Sequence, residues 1–145
     1  MQPAAQPYVE LVRRSYGLIE DLQEGESEAP DRAFGDYVDE GFELHPPAIH
    51  PEGAQVFRGR GGLQGWTAMT KEIWGEWRFE LERLIPTGDQ VVALVRVVAR
   101  GSSSGVRLDR KTAHVWTVKG GRVTRCEVYL DRSEAFEAVG LSSGR

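Results

Sequence analysis

The chain has 145 residues, 40% of them hydrophobic and 28% charged, the profile of a single globular domain that buries about two-thirds of its unfolded surface. With 18 Lys and Arg against 22 Asp and Glu, the formal charge is −4 and no basic cluster offsets it, which excludes a reader of phosphate backbones. The single cysteine, Cys126, excludes an internal disulfide and a cysteine-based zinc site.

Pro7 opens a helical pattern in which Tyr8, Leu11, Val12, Ser15, Leu18, Ile19 and Leu22 recur at i, i+3, i+4 and i+7. Gly25 ends it, and an acidic loop leads to a short helix over 31–38. A short strand over 42–45 stops at Pro46-Pro47, and the Pro- and His-rich stretch 45–53 is irregular. A second short strand, 55–58, precedes Gly59-Arg60-Gly61-Gly62 and a third helix that carries Leu63, Trp66, Thr67, Thr70, Ile73 and Trp74, with Gly75 as its stop. From Trp77 the period becomes two: Trp77, Phe79, Leu81 and Ile85 alternate with Arg78, Glu80 and Glu82. A turn at 86–89 feeds a strand over 90–100 that is apolar on both faces and therefore central. Strands over 107–118 and 122–130 follow, then an amphipathic helix capped by Asp131. Helices first and antiparallel strands later define an α+β domain over 1–145, with its core at about 8–141.

Gly120-Gly121 marks a two-residue hairpin, which pairs Lys119 with Arg122 and Val118 with Val123. Continued outward, that register sets His114 opposite Glu127, Trp116 opposite Arg125 and Thr112 opposite Tyr129. The other face carries Val115 with Cys126 and Ala113 with Val128. Small apolar side chains suit a packed helix or an open hollow. Large amphipathic ones suit either a polar site or a second subunit, and the subunit contact is preferred because aromatics and Arg are enriched at interfaces. His114, Trp116, Glu127 and Tyr129 are thus assigned to an outer face, and Trp116→Glu is expected to split a homodimer.

The run Phe57-Arg58-Gly59-Arg60-Gly61-Gly62-Leu63, the hairpin 113–123, Glu127-Val128-Tyr129-Leu130-Asp131-Arg132 and the closing 134–141 together resemble the SnoaL-like polyketide cyclase branch of the nuclear transport factor two-like superfamily. The resemblance implies a cystatin-like, ketosteroid isomerase-like cone: a curved antiparallel sheet around an N-terminal helix, with a pocket at its open end. It also implies dimers packed through the outer sheet face. The superfamily includes ketosteroid isomerases, polyketide cyclases, epoxide hydrolases and dehydratases, so one scaffold serves several chemistries.

By the same resemblance, the epoxide hydrolase positions fall on Arg96, Val98 and Val128, of which only the Arg is retained. The isomerase base falls on His45, their partner acid near Ala113, and their hydrogen-bonding tyrosine on Tyr16. His45, with an unperturbed pKa of about 6.5, suits a general base, against the plainer reading of a loop histidine. His50 beside it makes a weak metal pair, and no metal or organic cofactor is expected. Arg96 stands in an apolar strand and is either a pocket residue or part of a salt bridge with Glu43, Glu80 or Glu127. Trp66, Trp74 and Trp77 either wall an aromatic site or form plain core. His114 with Glu127 makes a base-and-orienter pair only if it faces inward.

The function expected is acid–base catalysis of the isomerase, cyclase or dehydratase type on a small apolar or carbonyl-bearing molecule. His45 is the base, Arg96 the orienting group, Tyr16 a donor, and Trp66, Trp77, Val98, Val115, Cys126 and Val128 the walls. Two alternatives stand: a non-catalytic binder of a small ligand, and a dimeric interaction module with a vestigial pocket. No nucleic acid or membrane partner is expected. The chain lacks an apolar run of about 20 residues and the pattern of a signal peptide, which gives a cytoplasmic expectation.

Overall fold

A computed structural model describes residues 5–24, 38–46, 56–59, 61–62, 65–66, 74–101, 103 and 105–140. In chain order they form α1 (Ala5–Glu24), β1 (Val38–His45), β2 (Phe57–Arg58), β3 (Trp74–Thr87), β4 (Gln90–Gly101), β5 (Arg107–Lys119), β6 (Arg122–Tyr129) and α2 (Arg132–Ala138). The strands make one unclosed six-stranded sheet in the order β2-β1-β6-β5-β4-β3. All neighbours are antiparallel except β1 and β6, which run parallel. The short helix expected over 31–38 and the irregular stretch to 53 fall mostly outside the described residues, but Val38 begins a strand and not a helix end. Trp74 likewise opens β3 instead of closing a helix.

α1 lies across the inner face of the sheet. Val12 and Tyr16 are buried there against Phe42 and Leu44 of β1, Trp77 of β3, Val91, Ala93 and Val95 of β4, and Trp116 and Val118 of β5. A smaller cluster occupies the opposite face, where Ala135 of α2 covers Val92, Ala113 and Val115, flanked by Ile85 and Phe136. This second cluster explains why β4 reads as apolar on both faces: each face has a helix to bury against.

The hairpin turn is as expected. Gly120 and Gly121 hold φ of 58° and 75°, the left-handed pair that a type I′ turn requires, and Val118 pairs with Val123. Beyond it the register slips by one. Thr124 is an extra residue, so Thr117 pairs with Arg125, Trp116 with Cys126, Val115 with Glu127 and His114 with Val128. A second bulge at Glu82 leaves Leu81 and Leu84 both facing inward and sends Ile85 to the outer cluster.

Arg132, at the start of α2, ties that helix to the sheet. Its Nε donates to the Thr112 carbonyl at 2.9 Å, and its Nη2 to the Val95 carbonyl at 3.3 Å and to Glu82 at 2.6 Å. Arg132→Met should therefore lower stability by about 2 kcal/mol, since both carbonyls belong to buried residues and lose a charged donor. Urea unfolding followed by circular dichroism measures this.

Candidate active site on the inner sheet face

The bulge at Thr124 decides which residues meet α1. His114 and Trp116 are each 1% exposed and stand on the inner face beside Tyr16. The Tyr16 hydroxyl lies 2.5 Å from His114 Nδ1, and Trp116 Nε1 donates to the same hydroxyl at 2.9 Å. The Tyr16 and His114 ring planes are inclined by only 11°, so the phenol meets the imidazole nearly edge to edge. Phe79 packs edge-on against His114 with centroids 5.1 Å apart, and Trp66 lies 6.5 Å away. Trp77 sits against the same two rings, 4.8 Å from Phe79 and 5.7 Å from Trp66.

Two polar atoms in this aromatic enclosure are buried without a hydrogen-bond partner among the described residues: His114 Nε2 and Trp77 Nε1. Such atoms are costly to leave unpaired inside a core. Burial lowers the His114 pKa to about 3, so the ring is neutral near pH 7. Burial raises the Tyr16 pKa well above its ordinary value and keeps the phenol protonated. Cys126, paired with Trp116, is held as a thiol by the same burial.

Of the residues singled out from the sequence, Tyr16, Trp66, Trp77, Cys126 and Val128 do come together on the inner face. His45, Arg96, Val98 and Val115 do not. His45 follows Leu44, which points inward, so strand alternation turns His45 outward, where its Nε2 lies 2.9 Å from Glu43 Oε1. The hydrogen bond with His45 is the main cause that lowers the Glu43 pKa, with Arg58 as its other partner. Arg96 stands between the inward Val95 and Val97 and so projects outward. There its Nε bonds Asp109 at 2.7 Å and its Nη1 approaches Glu80 at 3.3 Å. The salt-bridge reading of Arg96 therefore holds, with Asp109 as an additional partner, and that hydrogen bond is the first cause raising the Arg96 pKa. Val98 pairs with Asp109 and Arg78 on the outer face, and Val115 lies under α2.

The outer-face assignment of His114 and Trp116 is likewise corrected. Trp116→Glu would bury a carboxylate in the core instead of parting two subunits. Glu127 and Tyr129 do face outward, where Glu127 accepts from Tyr129 at 3.3 Å and from Arg125 at 3.4 Å. Val118 and Val123 were the missed signal: by the turn register they share the face of Trp116, and three large apolar side chains on one face belong to a core. Among the described residues no group of His, Cys, Asp and Glu is arranged to hold a metal ion, and no helix is long and apolar enough to cross a membrane.

A helix laid over one face of a curved, open sheet is the fold of nuclear transport factor two-like, ketosteroid isomerase-like proteins. The model of the SnoaL-like domain matches residues 19–126, and the chain belongs to that family. No curated protein matches the sequence. Among solved structures the chain is similar to a protein from Jannaschia sp. CCS1 classed as a SnoaL-like polyketide cyclase, at 18% identity and a TM-score of 0.72 over 96% of this chain and 95% of that one. It is similar also to TerC, solved with polyporic acid, at 21% identity and a TM-score of 0.67 over 92% of this chain and 97% of that one. IdmH of Streptomyces antibioticus, classed as a polyketide cyclase, aligns at 16% identity and a TM-score of 0.64 over 92% of this chain and 99% of that one. At these identities the likeness is one of fold.

Proposed function

We propose that the chain binds a small carbonyl-bearing molecule between α1 and the inner sheet face and promotes its enolisation, as an acid–base enzyme of the cyclase or isomerase type. His114 takes the orienting role that the sequence suggested for Arg96, and the base role suggested for His45 is left to solvent. The observation that carries this reading is the free edge of the His114 ring: Nδ1 is held by Tyr16, while Nε2 is buried with no partner among the described residues. A neutral imidazole in a water-poor enclosure is an effective electrophile toward a carbonyl, because its hydrogen bond strengthens as negative charge develops on the oxygen. Trp66, Trp77 and Phe79 supply the apolar walls.

Asp and Glu side chains such as Glu43, Glu80, Asp109 and Glu127 are engaged on the outer face. With these described carboxylates turned outward, the base that takes the α-proton comes from solvent, as water or hydroxide, and substrates are carbon acids already activated by a second carbonyl or an aromatic ring. The same outward placement of carboxylates favours the second reading, a binder without turnover.

The test uses 2-indanone, a flat ketone with activated α-hydrogens, in deuterium oxide. Wild-type protein should accelerate deuterium incorporation, read by proton NMR. His114→Phe should lose at least about 99% of that acceleration, within the range set by one oxyanion donor. His45→Ala and Arg96→Met should leave it unchanged. Binding of 2-indanone with exchange at the solvent rate would select the non-catalytic reading. A homodimer, if formed through the outer face, has Glu127 and Tyr129 for its contact, and a Tyr129→Glu chain with unchanged sedimentation would rule that surface out.

A further inference from the structure

The hydrogen-bond directions on the inner face define which ligands it accepts. An indole N–H can only donate, so in the 2.9 Å contact with Trp116 the Tyr16 oxygen is the acceptor. The one proton of the Tyr16 hydroxyl is then free for His114 Nδ1, 2.5 Å away. The opposite arrangement, with the proton on Nδ1, would give the phenol oxygen two incoming N–H groups and leave its own O–H unpaired inside the core. Only the first arrangement pairs every polar atom at the Tyr16 hydroxyl, and in a neutral imidazole it places the remaining proton on Nε2. That N–H and the N–H of Trp77 are the enclosure's two polar atoms without a partner among the described residues, and both rings flank Trp66 and Phe79. Both are donors.

We propose that Tyr16 and Trp116 are positioning residues that fix the His114 proton on Nε2, so that the inner face offers two buried donors and selects ligands presenting a hydrogen-bond acceptor over ligands presenting a donor. This deepens the reading above by naming the ligand chemistry: a flat molecule with a carbonyl or enolate oxygen aimed at His114 and Trp77. A ligand whose only polar group is N–H would leave three buried donors facing one another. Tyr16 acts through His114 and does not itself touch the ligand.

Two measurements on the unaltered protein decide this. In nitrogen-15 NMR of histidine-labelled protein without ligand, His114 Nε2 should resonate as a protonated nitrogen and Nδ1 as an unprotonated one; the reverse pattern overturns the proposal. By calorimetry, 2-indanone should bind at least about tenfold more tightly than indole, a donor-only molecule of similar size, and equal affinities overturn it. In Tyr16→Phe the preference should fall toward unity while the His114 resonances move toward a mixture of tautomers. A preference and resonances that both stay fixed in that variant would contradict the role given to Tyr16. The wild-type tautomer and the wild-type ratio stand even where Tyr16→Phe fails to fold. Exchange of 2-indanone at the solvent rate would remove the enzyme reading and leave the tautomer and the ratio untouched.

Discussion

Trp116→Ala is expected to lower the free energy of unfolding by about 4 kcal/mol, close to the largest loss that a single core truncation produces. Trp116 is 1% exposed and packs edge-on against Tyr16 at 5.5 Å and near-parallel to Phe42 at 6.4 Å. Its removal opens a void among these rings, and it strips the Tyr16 hydroxyl of its donor. Trp116→Phe refills most of the void and should lose less than half as much. Urea midpoints for the pair separate packing from the hydrogen bond. Trp116→Ala with wild-type stability would place this side chain on the surface and restore the outer-face reading.

The second large effect is on acid stability. His114 has a folded pKa of about 3 against an ordinary value of 6.5, because burial penalises its charged form. The unfolded chain therefore takes up a proton near pH 6.5 that the folded chain refuses until about pH 3. The sign follows: His114 favours the folded state fully above pH 6.5, and that stability is lost as the pH falls toward 3, at about 1.4 kcal/mol for each pH unit. The pKa values of Glu43, Glu82, Asp109 and Asp131 are lowered by hydrogen bonds from His45, Arg132, Arg96 and Ser133 respectively, and these groups add their own loss at the acid end, below the ordinary carboxylate range. Between pH 6.5 and 5 the contribution of His114 stands apart from theirs. Unfolding of wild type and His114→Gln across that interval should give a difference that narrows steadily with acid. Parallel curves would mean that His114 is not buried neutral.

Local chemistry made much of this fold legible. The two-glycine turn, the alternation of Trp77, Phe79 and Leu81, and the helical spacing of Val12 and Tyr16 each report a contact between near neighbours in sequence. The families of residues forming the inner core could be drawn from them. The bulges could not. Thr124 and Glu82 carry no residue signature that distinguishes them from ordinary strand positions, yet each moves every later residue of its strand relative to its partner. This is why Cys126 and Val128 were placed on the correct face while His114, Trp116 and Val115 were not: β6 and β5 lie on opposite sides of one slip. The parallel pairing of β1 with β6 was equally hidden, since it joins segments about eighty residues apart and depends on how the sheet closes over α1. Arg96 and His45 lie off the inner face for a plainer reason. Each follows an inward apolar residue, and alternation alone would have turned both outward.

The most direct test of the site is the carbonyl stretch of 2-indanone bound to the protein, isolated by isotope-edited infrared difference spectroscopy. A donor at His114 Nε2, working in a buried aromatic enclosure, should lower that frequency relative to the ketone in water, and His114→Phe should abolish the shift. A bound carbonyl whose frequency is the same in wild type and His114→Phe would contradict the placement of the ligand against His114.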